Sequence, residues 1–189
     1  MAVDKRTNLL DAAEAVLVEQ GLVGATVDQI TTRAGVAKGT FYLYFRSKDE
    51  VVGALQERLW DGLLAAALET AAKLGDDDWW TVIDGFIDTV VDYDLAHRDW
   101  HRLVAQGWSS PGQDMAHREQ QIIDVFAERI NAGVAKGLFA VADVQLTATL
   151  LYRAMAGTMH QCCVAVEPVD RDRVTETFKW FVRRVLRPE

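Results

Sequence analysis

Residues 34–48 concentrate side chains that can hold phosphate oxygens. The candidate donors are the side chains of Lys38, Thr40, Tyr42, Tyr44 and Lys48. Ammonium groups, hydroxyls and backbone N–H groups at helix starts are the usual donors to nucleic-acid phosphates. Gly39 has no Cβ, so the backbone there can approach a bulky partner closely. These residue types predict binding to a phosphate backbone.

Two helix-start signals bracket this segment. Thr26 is followed three residues later by Gln29, and Ser47 is followed by Glu50. Each pair can form a capping box, in which side chain and backbone at a helix start bond reciprocally. An Ala-Gly-Val tripeptide separates the first helix from a second one over about 37–45. Such a pair lets the second helix lie in a major groove while the first braces it.

The spacing of apolar residues and the local charge agree with this reading. A small core between the helices is predicted from Ile30, Ala34, Val36, Phe41 and Phe45. The chain has a net charge of −8, which argues against a protein that coats nucleic acid without specificity. Residues 22–48 nevertheless carry four basic side chains and one acidic one. The positive charge is therefore confined to the proposed reading segment.

Residues 21–51, with segment 34–48 at their centre, strongly resemble the TetR family of bacterial transcriptional regulators. The resemblance extends over about residues 3–63. Beyond them we recognise only the family's plan of a helical ligand-binding and dimerising domain. The resemblance implies DNA contacts from Thr26, Ala37, Lys38, Gly39, Thr40, Tyr42, Tyr44 and Lys48.

Two positions depart from the pattern of the family. Ala37 occupies a position where Ser or Thr is frequent, and Tyr44 one where His is frequent. The missing hydroxyl at Ala37 is expected to remove one phosphate contact. Tyr44 is expected to alter the preferred DNA sequence.

Apolar residues recur at spacings of three and four along nearly the whole chain, which contains only three prolines. We therefore predict an all-α fold. An N-terminal three-helix domain over residues 3–63 carries the helix-turn-helix (26–45), and a larger helical bundle for ligand binding and dimerisation covers 76–189. Later helices are predicted near 79–96, 98–107, 113–136, 143–163 and 170–186.

Large apolar and aromatic residues are frequent over 79–163. Packing of a bundle core accounts for most of them, but a sensor of this class also needs an apolar cavity with a few polar groups. The predicted pocket for a small apolar or amphipathic effector consists of Trp100, Val104, Trp108, Phe126, Ile130, Tyr152, Met155 and Met159.

The segment 144–164 is apolar on nearly every side, so it must be buried on every side. Packing of two copies through the last two helices meets this need, as the family resemblance also implies. The alternative is a buried core within a monomer. The predicted interface consists of Leu150, Ala154, Gly157, Phe178, Phe181, Val182 and Val185.

No metal or cofactor is predicted. Asp84, Asp88 and Asp92 recur every four residues opposite an apolar face, which predicts a solvated stripe. His97 and His101 share a helix face but lack the glutamate of a zinc-protease motif. No nucleophile and base stand at a recognisable spacing, so we expect no enzyme.

The remaining features exclude other classes of protein. No stretch approaches the roughly 20 uncharged residues of a membrane span. The first twenty residues carry charges, so we expect a cytoplasmic protein without a membrane partner. The adjacent Cys162 and Cys163 cannot link distant segments, which argues against a secreted disulfide scaffold.

These observations predict a homodimeric repressor that binds a near-palindromic DNA operator and is released by a small-molecule effector. Two alternatives remain open. In the first, the protein is an activator or a DNA-binding protein that responds to no ligand. In the second, it is an enzyme that uses the aromatic pocket. Turnover of a candidate ligand would favour the enzyme.

Overall fold

The computed structural model describes residues 4–74, 78–105 and 113–187, and these residues contain helices and no strand. The prediction of an all-α fold is therefore confirmed. The helices are α1 (Lys5–Gly24), α2 (Val27–Ala34), α3 (Lys38–Tyr44), α4 (Lys48–Leu74), α5 (Trp79–Ala96), α6 (Arg98–Val104), α7 (Gln113–Ala135), α8 (Val144–Val164) and α9 (Arg171–Leu186).

The chain divides into two compact units. The described residues of the N-terminal unit are 4–60 and 99–105, and those of the C-terminal unit are 61–74, 78–98 and 113–187. The boundary falls inside α4, which begins in the first unit and ends in the second. The sequence-based domain limits of 3–63 and 76–189 stay predictions.

Local chemistry defines the ends of α1. The Asp4 side chain accepts a hydrogen bond from the backbone N–H of Arg6, which caps the first turn. Gly21 has φ 73° and ψ 171°, a non-helical conformation that favours glycine. The regular helix therefore ends at Gly21, and one further turn leads to α2.

The core of the N-terminal unit forms where α1, α2, α3, α4 and α6 meet. Leu9, Ile30 and Phe41 are fully buried, and Trp100 and Leu103 of α6 belong to the same cluster. Segment 99–105 thus completes the core of the unit that contains α2 and α3.

In the C-terminal unit, α5 packs against α8 and α9, and α7 packs against α8. Three of these helices start with an aspartate whose side chain accepts a backbone N–H of the first turn. The capping residues are Asp78 of α5, Asp143 of α8 and Asp170 of α9. A carboxylate at this position also interacts favourably with the helix dipole.

The prediction of a solvated acidic stripe on α5 is wrong. Arg171 of α9 forms a two-bond pair with Asp92, with distances of 2.5 Å (Nε to Oδ1) and 2.9 Å (Nη2 to Oδ2). Lys179 Nζ lies 3.0 Å from Asp88 Oδ2. The acidic side chains therefore join α5 to α9, because α9 carries a basic side chain opposite each of them.

Asp84, at the other end of this row of ion pairs between α5 and α9, has the least exposed side chain of the three aspartates. It pairs with Arg183, while its Oδ1 atom is buried and accepts no hydrogen bond among the described residues. Burial raises the pKa of Asp84 above its ordinary value, and Arg183 opposes this shift. The hydrogen bond from Arg171 instead lowers the pKa of Asp92. The two carboxylates thus differ because their surroundings differ.

Candidate nucleic-acid interface and effector cavity

Helices α2 and α3 form a helix-turn-helix held by backbone hydrogen bonds. Gly35 ends α2 with φ 66°, a left-handed conformation typical of glycine at a helix end. Val36 N donates to Thr31 O at 3.0 Å, and the Asn8 side chain of α1 donates to Ala34 O at 2.8 Å. The turn is therefore fixed both from within and by α1.

The predicted capping box at α2 is present. Thr26 Oγ1 accepts from Gln29 N at 3.3 Å, and Gln29 Oε1 accepts from Thr26 N at 2.8 Å. This bond pair fixes the start of α2 and leaves the Thr26 side chain exposed at the surface.

The second start signal forms a variant of the box. Ser47 Oγ accepts from Glu50 N at 3.2 Å, as in a standard box. The Glu50 carboxylate, however, accepts from Arg46 N at 2.5 Å. The start of α4 is therefore fixed one residue further back than the pattern predicts.

Helix α3 has a buried face and an exposed face. Phe41 is buried, as is Phe45 just after the helix, and their ring centroids lie 5.7 Å apart. Of the predicted phosphate donors on this helix, Lys38, Tyr42 and Tyr44 are exposed, and Thr40 is half-buried. Ala37 is the N-cap residue of α3 and makes no side-chain hydrogen bond. A Cβ added at Gly39 would meet open space.

Acidic residues already pair with part of the basic segment. Lys38 Nζ lies 2.7 Å from Asp28 Oδ1, and Arg33 Nη1 lies 2.6 Å from Glu19 Oε1. The hydrogen bond and the charge of Asp28 raise the pKa of Lys38. Lys38 therefore stays positive, but a phosphate would have to compete with Asp28 for it.

Lys48 has partners that the sequence did not predict. Its ammonium group donates to Ala25 O at 2.9 Å and also to Leu22 O. These carbonyls lie where the chain passes from α1 to α2. Lys48 thus ties the start of α4 to that connection, besides its predicted role as a phosphate ligand.

The C-terminal unit contains a cavity with a volume of about 20 Å³. Its lining residues are Ala67, Phe86, Ile87, Val90, Ile122, Phe126, Tyr152 and Met155. Phe126, Tyr152 and Met155 were predicted from the sequence. The lining residues from α4 and α5, and Ile122 of α7, were missed, although the apolar faces of these helices carried a usable signal.

The other predicted pocket residues lie elsewhere. Ile130 and Met159 are fully buried in the C-terminal unit without lining this cavity. Trp100 and Val104 of α6 pack against the core of the N-terminal unit. Trp108 lies outside the described residues.

The predicted dimer residues divide into two groups. Phe178 and Val182 are buried within the protomer, where α9 packs on α5. Leu150, Ala154 and Gly157 are exposed on α8. On α9, Phe181 is exposed and Val185 is half-buried. The exposed residues follow one face of each helix.

Two negative findings apply to the described residues. They contain no group of three or more His, Cys, Asp or Glu side chains that could hold a metal ion. Within the same ranges, every helix is too short or too polar to cross a bilayer.

The fold and these two sites define a helix-turn-helix protein with a separate helical unit that contains a small apolar cavity. Two family models match the chain. Residues 9–55 match the bacterial regulatory proteins of the tetR family, and residues 78–186 match the tetracyclin repressor-like C-terminal domain. The chain belongs to the TetR family, as its helix-turn-helix segment predicted.

Individual relatives agree with this assignment. The uncharacterized HTH-type transcriptional regulator YvdT of Bacillus subtilis is 40% identical over 96 residues, a match that spans 50% of this chain and 48% of YvdT. The HTH-type transcriptional repressor SCO4008 of Streptomyces coelicolor is 24% identical over 191 residues, 96% of this chain and 94% of that protein.

A solved structure extends the likeness to the whole fold. A tetR-family regulatory protein from Rhodococcus RHA1 matches with a TM-score of 0.77 at 17% identity, covering 100% of both chains. At this identity, the match supports the fold alone.

Proposed function

We propose that the protein is a cytoplasmic transcriptional repressor that binds a near-palindromic operator as a homodimer. A small apolar or amphipathic effector entering the C-terminal cavity would release it. The main support for this proposal is the outer face of α3, where Lys38, Tyr42 and Tyr44 are exposed. The buried rings of Phe41 and Phe45 hold this helix in place. Family membership supports the same conclusion.

In this mechanism, a two-fold dimer inserts its two α3 helices into successive major grooves about 34 Å apart. Helix α4 begins next to the helix-turn-helix and contributes Ala67 to the cavity. A ligand that displaces α4 at Ala67 would change the spacing of the two reading helices. Such a coupling is typically about 1–3 kcal/mol.

Binding and release account for this function without a catalytic step. No residue is therefore assigned to catalysis. An enzyme remains the competing class, and turnover of a compound that occupies the cavity would favour it. Activation is the other alternative, and it would be favoured if the bound DNA lies upstream of a promoter.

Selection of bound duplexes from a random DNA pool tests the proposal. We expect the full-length protein to enrich a near-palindromic site, and Tyr42→Ala to lose most of the enrichment because a phosphate donor is removed. Failure of the protein to enrich any duplex at moderate salt would contradict the proposal.

The pair Lys38–Asp28 provides a sharper test on the selected site. Lys38→Ala should weaken binding and lower the slope of log K against log salt by about one. Asp28→Asn should instead tighten binding, since it frees the Lys38 ammonium and removes a repulsive charge. Glu69→Gln is the matched control, because Glu69 pairs with Lys73 on α4, distant in sequence from α3. Equal effects of Asp28→Asn and Glu69→Gln would rule out a local role for this pair.

The homodimer is tested at Leu150, whose residue surface is 62% exposed on α8. Leu150→Ala should weaken self-association by roughly tenfold or more, because burying a leucine side chain at an interface is strongly favourable. Leu68→Ala, at a half-exposed leucine of α4, is the control. Sedimentation at several concentrations measures both. Unchanged association of the Leu150 variant would remove this face from the interface.

A further inference from the structure

Leu43 is the most exposed leucine among the described residues, at 81%. It lies on α3, the helix proposed to enter the major groove. Isolated apolar residues are common on protein surfaces and need no partner there. The position of Leu43 on α3 therefore decides whether its exposure has a function.

Gly39 and Leu43 occupy the centre of the outer face of α3. Each stands two residues from Phe41, which is fully buried. At about 3.6 residues per turn, two residues correspond to about 200° around the helix axis. Both positions therefore face away from the core, and both are exposed. A Cβ added at Gly39 would meet no atom within 4 Å, so the protein itself leaves this part of the face open.

The polar side chains of α3 form one row on each side of this centre. Lys38 and Tyr42 are four residues apart and share one side, and Thr40 and Tyr44 share the other. The ring of Tyr42 packs edge-on against Phe41, with centroids 5.3 Å apart, which holds the first row in place. Donors on both sides of an apolar centre match a groove whose two walls are phosphate backbones.

The floor of a major groove consists of base edges, and this floor would face Gly39 and Leu43. Most groups on the base edges are hydrogen-bond donors or acceptors, which neither of the two side chains can pair. The exception is the C5-methyl group of thymine, which proteins read by apolar contact. A hydrocarbon side chain at the centre of α3 therefore discriminates between bases through that methyl group.

We propose that Leu43 recognises a thymine in each half-site through its C5-methyl group, while Gly39 lets α3 lie deep enough in the groove for this contact. Leu43 is thus a specificity-determining residue. The phosphate donors beside it supply affinity that depends little on sequence. The inference rests on the proposed binding of α3 in the major groove, and it adds which base feature the helix reads.

Replacement of thymine by uracil in the selected duplex tests the inference. An adenine–uracil pair keeps every hydrogen-bonding group of the adenine–thymine pair and lacks only the methyl group. Each thymine is replaced in turn, in both half-sites together, and binding of the full-length protein is measured by titration. We expect one position at which binding weakens about fifteenfold, because burial of one methyl-sized group is worth about fourfold in each half-site.

Three variants show whether Leu43 is responsible. Leu43→Ala shortens the side chain, so it should still bind DNA through the phosphate donors but should bind the uracil and thymine duplexes about equally well. Leu43→Met keeps an apolar side chain of similar size and should keep the preference for thymine. Leu68→Ala, at a half-exposed leucine of α4, is the control and should discriminate like the wild type.

Two results would overturn the inference: no uracil substitution weakens binding of the wild type, or Leu43→Ala still prefers the thymine duplex as strongly as the wild type does. Either result leaves the repressor function standing, because the protein still binds its selected site. If the protein enriches no duplex at all, the proposed function fails and this inference fails with it.

Discussion

Phe41→Ala should remove about 3–5 kcal/mol from the free energy of unfolding of the N-terminal unit and abolish DNA binding. Phe41 is completely buried and contacts the ring of Phe45. Helix α3 has only seven residues, and its N-cap Ala37 makes no side-chain hydrogen bond. Since so short a helix is unstable by itself, the two phenylalanines hold it in place.

Chemical denaturation and titration with the selected DNA measure the two effects of Phe41→Ala. Leu43→Ala is the matched control, because Leu43 is an apolar residue of the same helix that is 81% exposed. Its effect on stability should stay within about 0.5 kcal/mol. If the Phe41→Ala variant kept the stability and the DNA affinity of the wild type, other contacts would have to hold α3.

The helix-turn-helix could be predicted from sequence because its determinants are local. Thr26 and Gln29 are three residues apart, and Gly35 ends α2 within the same short segment. The bonds within the capping box and the turn join neighbours in the chain, so residue types at fixed spacings specify them. The further bond from Asn8 of α1 to Ala34 O depends on tertiary packing. The apolar face of Phe41 and Phe45 follows from the same periodicity.

The cavity could be predicted only in part, because periodicity identifies an apolar face without identifying the helix that covers it. Trp100 and Phe126 have the same character in the sequence. Trp100 lies in the core of the N-terminal unit, whereas Phe126 lines the cavity of the other unit. Only the tertiary arrangement separates them.

Prediction of the charged contacts from sequence has the same limit. The excess of positive charge in 22–48 counts Arg33 as available for DNA, but Glu19 of α1 pairs with it from outside that segment. Lys48 is engaged by carbonyl groups, which no charge count includes. On α5, Asp92 was assigned to solvent because its partner Arg171 is 79 positions away. Pairs of this kind depend on tertiary packing.

Gly133→Ala should destabilise the C-terminal unit by about 1–2 kcal/mol, although alanine normally favours a helix. A Cβ at Gly133 would lie 2.2 Å from Cδ2 and 2.4 Å from Cε2 of Phe139, far inside contact distance. Phe139 is buried and packs edge-on against Trp80, with ring centroids 5.0 Å apart. The ring therefore cannot yield without disturbing the core.

The backbone makes this overlap hard to avoid. Gly133 O accepts a hydrogen bond from Leu138 N at 2.9 Å, and Gly137 turns the chain there with φ 73°. The same turn that ends α7 thus delivers the Phe139 ring onto Gly133.

Gly53→Ala is the control, because a Cβ at Gly53 on α4 would meet nothing within 4 Å. This substitution should stabilise the protein by about 0.5–1 kcal/mol, so the two glycines are expected to give opposite signs. Phe139→Leu should cost less in the Gly133→Ala protein than in the wild type, since it relieves the overlap. Urea denaturation of the wild type, the three single variants and the Gly133→Ala/Phe139→Leu double variant measures these free energies of unfolding. Additive effects would show that Gly133 and Phe139 do not interact.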